Sequence, residues 1–155
     1  MRERVKIGAP PLQVWMWIAD PERMMLWNDK FVSHSRSSSG ELHSGEVFRA
    51  TLEMTGKRKQ LEVTVEEAIA GSRIVLLYCE RDRNESREVR ETIDLFPSGN
   101  GTRVRRTIDL RRSGIPFLWR IAIEILHRVG KPQGTPMLEV LRARVEESSA
   151  LSSRA

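Results

Sequence analysis

Polar and apolar positions along this chain follow two periods, and the switches between them outline its elements. Val5 and Ile7 flank Lys6 in a short opening strand. Gly8-Ala9-Pro10-Pro11 ends it and starts a helix, since proline is tolerated in a first turn. Leu12, Trp15, Ile18 and Ala19 then recur at helical spacing, with Val14 and Trp17 widening the apolar face. A second short helix opens at Asp20-Pro21-Glu22. Asp20 caps the free amides, Pro21 takes the first helical position and Glu22 favours the positive end. Met24, Met25 and Trp27 ride on it, and residues 35–40 read as a polar break with little to pack.

From residue 46 the period is two. Phe48, Ala50, Leu52 and Met54 share one face of a strand over 46–54. A four-residue turn at 55–58 sets Leu52 opposite Leu61, Ala50 opposite Val63 and Phe48 opposite Val65. A turn at 68–72 places Val65 beside Leu76 and Val63 beside Tyr78. One around 82–84 sets Tyr78 beside Val89 and Glu80 beside Arg87. A last turn at 97–100 brings Ile93 against Val104 and Val89 against Ile108. All these hairpins agree on the apolar face, and a one-residue slip in any would invert it. The expected sheet is antiparallel, apolar on its concave side. Arg49, Thr51, Glu62, Thr64, Arg90, Asp94, Arg103 and Arg105 fall on the other side.

After Ser113-Gly114 the period lengthens to that of a helix. Over 117–129 the polar residues Arg120, Glu124, His127 and Arg128 share one face. Residues 130–134 interrupt it. Thr135 then caps a final helix with Pro136 at its first position, Glu139 early, and an apolar stripe of Met137, Leu138, Leu141 and Val145. A frayed tail is expected over 148–155, leaving 1–147 as one domain.

Strand, two short helices, antiparallel meander and long closing helix form an order met in a known group. Ile7-Gly8-Ala9-Pro10-Pro11, with Val14-Trp15, Ile18, Asp20-Pro21-Glu22 and Trp27, resembles the N-terminal signature of the START-like (SRPBCC) superfamily. Gly99-Asn100-Gly101-Thr102-Arg103-Val104 is similar to its late hairpin, and Met137 to Leu141, continued to Val145-Glu146, to its closing helix. The superfamily includes polyketide cyclase/dehydratase-like proteins, Bet v 1-like pollen-allergen carriers and lipid-transfer domains. The resemblance implies an α+β helix-grip fold, a curved sheet wrapped around the last helix to enclose an apolar cavity. Residues 117–129 are longer and more apolar than the group's usual connection before the last helix, and a lid over the cavity mouth is the expectation for them. It marks a scaffold and leaves the function to the site.

Composition narrows the setting. With 155 residues, 39% hydrophobic and 30% charged, the chain suits a globular fold. No apolar run approaches a membrane span, and Cys79 is the only cysteine, so a reducing cytoplasm is the expected compartment. The net charge is +5, yet most arginines alternate with acids, as at Arg87, Glu88, Arg90 and Glu91. That pattern reads as a solvated strand surface, with weak attraction for anionic ligands or a membrane surface as the alternative.

One charged pair breaks the pattern. Glu91 lies on the apolar face between Val89 and Ile93, Arg106 between Val104 and Ile108, and the expected register sets them opposite each other beside Leu76. Charges in an apolar concavity ask for a reason. They either neutralise each other and brace the sheet, or Arg106 holds a ligand carboxylate or enolate while Glu91 orients it or acts as a base. Tyr78 projects from the same face as a hydrogen-bond donor or as a tyrosine satisfied within the core. Glu91 and Tyr78 are thus the candidate catalytic groups. Trp15, Trp27, Phe31, Phe48, Met54, Leu76, Trp119 and Met137 complete the core or cavity wall.

His34, His43 and His127 lack metal-binding spacing, and no phosphate loop, nucleophile elbow or dinucleotide fingerprint occurs. No metal or other cofactor is expected. The expected partner is a small hydrophobic molecule such as a lipid, polyketide or isoprenoid, without nucleic acid and without stable membrane insertion. Carriage or sensing of that molecule leads; a cyclase or dehydratase in the same cavity is the alternative. A regulatory protein-interaction role for the convex face is the third reading, and the choice between monomer and homodimer stays open.

Overall fold

The computed structural model describes residues 1–54, 56–81, 86–114 and 136–153. Seven antiparallel strands form one sheet in the order β1-β7-β6-β5-β4-β3-β2. The strands are β1 (Arg2–Ile7), β2 (Phe31–His34), β3 (Val47–Met54), β4 (Lys57–Ile69), β5 (Arg73–Arg81), β6 (Ser86–Ser98) and β7 (Gly101–Arg112). Helices α1 (Pro11–Ile18) and α2 (Pro21–Met24) follow β1, and α3 (Met137–Ser152) closes the chain. This is the helix-grip fold expected from the sequence.

Local chemistry places the elements as the pattern predicts. Pro11 opens α1, and Asp20 Oδ1 accepts from the Glu22 amide at 3.0 Å to cap α2. α3 packs against β1 and α1 through buried Leu138, Leu141 and Val145, with Met137 half-buried at its start. Burying each aliphatic side chain contributes roughly 1.5–3 kcal/mol. Gly8 N donates to Glu146 Oε1 at 2.8 Å, tying the helix to the end of β1. β1 and β7 come so close there that a Cβ on Gly101 would sit 2.3 Å from the Ile7 carbonyl oxygen.

Three expectations change. β4–β5 and β5–β6 have the expected register, with Val65 opposite Leu76, Tyr78 opposite Val89 and Glu80 opposite Arg87. In β3–β4, however, Ala50 faces Leu61 and Phe48 faces Val63; in β6–β7, Leu95 faces Val104 and Ile93 faces Arg106. Both turns are tighter than expected, because Gly56 and Gly99 take positive φ (73° and 60°) and Met54 pairs with Lys57, Ser98 with Gly101. A shift of two keeps every side chain on its face. The same shift sets Ile108 opposite Glu91 and not Val89, and the β6–β7 ladder is irregular again between Glu88 and Arg90.

The segment 35–40 is not an idle break. The Arg36 side chain is 3% exposed; its Nε donates to Glu46 Oε1 at 2.5 Å and its Nη1 to the Gly40 carbonyl at 2.8 Å. Those bonds hold the crossing from β2 to β3. Finally, α3 runs on through Ser152, past the point where fraying was expected. Ser149 Oγ lies 2.9 Å from Gln13 Oε1 and 3.0 Å from the Val145 carbonyl, which secures the last turns against α1. The expected lid over 117–129 lies outside the described residues, as does the Thr135 cap.

Candidate functional site

Strands β5, β6, β7 and β1 lie side by side, and one polar side chain from each joins a single line on the inward face. These are Tyr78, Glu91, Arg106 and Glu3. Arg106 Nε donates to Glu91 Oε1 at 2.5 Å and Arg106 Nη1 to Glu3 Oε2 at 3.1 Å. Tyr78 OH donates to Glu91 Oε2 at 2.9 Å. The result is a hydrogen-bonded line across four strands, with Tyr78, Glu91 and Arg106 each under a tenth exposed.

The corrected register explains the geometry. Glu91 faces Ile108 and Arg106 faces Ile93, so the pair meets on the diagonal, which the long guanidinium arm spans. Arg106 instead faces Glu3 directly. Around the line stand Leu76, opposite Glu91, and the buried Ile93 and Val104.

Burial alone would lower the Arg106 pKa, but the charges and hydrogen bonds of Glu91, then Glu3, outweigh it and hold the group above its ordinary value. The guanidinium stays charged at any accessible pH. Burial first, and the Glu91 charge second, push the Tyr78 hydroxyl well above 10.0, so it remains a neutral donor. No buried side-chain polar atom among the described residues lacks a partner.

Glu3 was not among the sequence candidates. Its signal was present, because Glu3 shares the parity of Val5 and Ile7, both buried on the inward face. The remaining candidates divide. Leu76, Phe48, Trp15 and Trp27 are buried. Both indoles have fixed partners: Trp15 Nε1 donates to Glu41 Oε2 at 2.9 Å and Trp27 Nε1 to the Trp17 carbonyl at 2.9 Å. Phe31 is buried too, and Met137 is half-buried against the core. The Met54 side chain and Trp119 lie outside the described residues. Glu80 is bonded by Lys59 Nζ at 2.7 Å, in addition to facing Arg87 in register. Asp94, expected on the solvated face, is outward but buried between Arg73 and Arg105. Among the described residues no cluster of His, Cys, Asp and Glu is arranged for a metal, and no helix is long and apolar enough to cross a membrane.

A curved sheet gripping a closing helix, polar at one place on its inward face, defines a hydrophobic-ligand-binding fold. The comparisons specify the family. The chain belongs to the polyketide cyclase/dehydrase and lipid transport family, whose model matches residues 1–146. Among solved structures it is similar to protein CV1439 from Chromobacterium violaceum (19% identity, 94% of this chain and 96% of that one, TM-score 0.68). It is also similar to the Aha1 dimer from Colwellia psychrerythraea (14% identity, 94% and 95% coverage, TM-score 0.62) and to Ara h 8.0201 (14%, 94% and 95%, TM-score 0.61). At these identities the likeness is one of fold. No curated protein matches the sequence.

Proposed function

We propose that the protein binds and carries a small, neutral, hydroxyl-bearing hydrophobic molecule, a long-chain alcohol or isoprenol in kind, with its polar end on the Tyr78–Glu91–Arg106 line. The observation that carries this reading is the inward-facing, buried Arg106–Glu91 pair. A guanidinium already matched by a carboxylate at 2.5 Å has little charge left for a ligand carboxylate. An anion entering there would be desolvated beside a guanidinium already shared by two carboxylates, Glu91 and Glu3, which is costly. A hydroxyl group both donates and accepts, so it fits a line that offers oxygen lone pairs and guanidinium N–H groups.

The same bonding favours holding over turnover. Each Glu91 oxygen already accepts one hydrogen bond, from Tyr78 and from Arg106, which fixes the carboxylate in place as a matched partner. Tyr78, kept neutral, serves as a donor and not as a base.

The test is displacement of N-phenyl-1-naphthylamine by hexadecanol and by palmitate. We expect saturable uptake of the probe at one per chain, with hexadecanol the stronger competitor. Tyr78→Phe should weaken hexadecanol roughly three- to tenfold, the loss of about one hydrogen bond. No uptake of the probe sinks the carrier reading; palmitate winning sinks only the preference for a neutral head group.

A further inference from the structure

The outward face of β1 and β7 breaks the rule that opposite charges face each other across strands. Arg4 lies directly opposite Arg105 and Lys6 directly opposite Arg103, with Arg2 one step along the same edge. Like charges placed opposite each other destabilise a sheet. Next inward, Arg105 faces Asp94 and Asp94 faces Arg73, so one aspartate is shared by two arginines. Arg2, Arg4, Lys6 and Arg103 are exposed, and none of them forms an ion pair among the described residues. Elsewhere the outer surface is balanced: Arg90 is held by Glu66, Arg112 by Glu88 and Arg111 by Asp109. The cations therefore form a patch at one edge, about 14 Å along β1 at the usual strand rise.

The margin of this patch is apolar. The row Arg4, Arg105, Asp94, Arg73 continues to Ile69, which is 49% exposed. In the neighbouring turn, a Cβ on Gly71 would lie 3.0 Å from the side chain of Leu12, itself 63% exposed. Cations on a flat face with aliphatic side chains at its rim suit a surface that is anionic at its head groups and apolar below. Nucleic acid fits less well, because among the described residues the one aromatic ring on this face, Phe96, is already engaged by Arg103 and Arg105 (5.9 and 4.9 Å to the ring centre).

We propose that the outward face of β1 and β7, centred on Arg4, Lys6 and Arg103, docks the protein on an anionic lipid bilayer. The lipid head groups supply the counter-charge that Arg4, Lys6 and Arg103 lack among the described residues. The contact is peripheral and electrostatic, and it does not depend on what the inward face binds.

Co-sedimentation with vesicles tests it. The intact chain should bind vesicles of equal parts phosphatidylglycerol and phosphatidylcholine, and not phosphatidylcholine alone. Added salt should release it. Each neutralised base should cost roughly fivefold in affinity, and Arg4→Gln/Lys6→Gln/Arg103→Gln on the order of a hundredfold. The control Lys57→Gln/Arg58→Gln/Arg144→Gln removes the same charge from other exposed positions and should leave binding within about twofold. Equal binding to both vesicle types overturns the proposal, as does an equal loss in the control. Tighter binding to duplex DNA at matched phosphate, abolished by the same triple change, overturns it in favour of nucleic acid.

Discussion

On the inward side of β1 and β7, Glu3 faces Arg106 and Arg106 reaches on to Glu91. On the outward side of the same strands, Arg4 faces Arg105 and Lys6 faces Arg103. The residues alternate one by one along each strand, so backbone and register are shared and only the medium differs. Inside, an unmatched charge meets apolar neighbours and little water, and its desolvation costs several kcal/mol. Outside, water and salt screen like charges, and the arrangement costs a few tenths of a kcal/mol. The inner charges are therefore constrained by the fold. The outer ones are tolerated by it, which makes them the better indicator of an external partner.

The largest effect should come from the inner face. Arg106→Met leaves Glu91 buried without its cation and should destabilise the fold by about 3–5 kcal/mol in urea unfolding, while adding Glu91→Leu should restore much of it. A cost below about 1 kcal/mol for the single change would mean the inner face is wet and the contrast false.

Asp94 stands between the two regimes, outward yet buried. Burial raises its pKa, but hydrogen bonds from Arg105 and Arg73 outweigh that and hold it below 3.8. A depressed folded pKa means its contribution is complete above 3.8 and is lost as pH falls through the folded value. Asp94→Asn should cost about 2 kcal/mol at neutral pH and flatten that acid-side decline. An unchanged pH profile would place Asp94 with the screened surface charges. The smallest effect, and of opposite sign, is expected for Lys6→Glu. Placing an acid opposite Arg103 should raise stability by roughly 0.2–1 kcal/mol. A loss of stability would show that the cationic face braces the sheet.

Much of this architecture could be read from the chain, and the rest was hidden for identifiable reasons. Period-two alternation gives the faces of Phe48, Ala50, Val63, Val65, Leu76, Tyr78, Ile93 and Val104, because parity survives a shift of two; beyond Val65, where the β4–β5 ladder is irregular, it fails and Ile69 turns outward with Arg73. Register does not survive it, so Glu91 and Arg106 were found as a pair but placed opposite instead of diagonal. Glu3 was overlooked because a charge near the start of a strand looks solvated until Val5 and Ile7 fix its side. Arg36 was invisible in principle: three of its acceptors (Gly40, Glu41 and Glu46) belong to an irregular loop that no periodicity describes.

The distance in sequence between β1 and β7 has a consequence in time. Glu3 and Arg106 are 103 residues apart, whereas β2 to β7 each pair with a strand adjacent in the chain. On a growing chain the meander can therefore zip from neighbour to neighbour while β1, made before it, waits for β7 to emerge. During that wait β1 is an unpaired strand edge, the kind of segment that recruits other chains. Its alternating Arg2, Arg4 and Lys6 are then gatekeepers, keeping a nascent strand from pairing with the wrong partner before the right one has been synthesised.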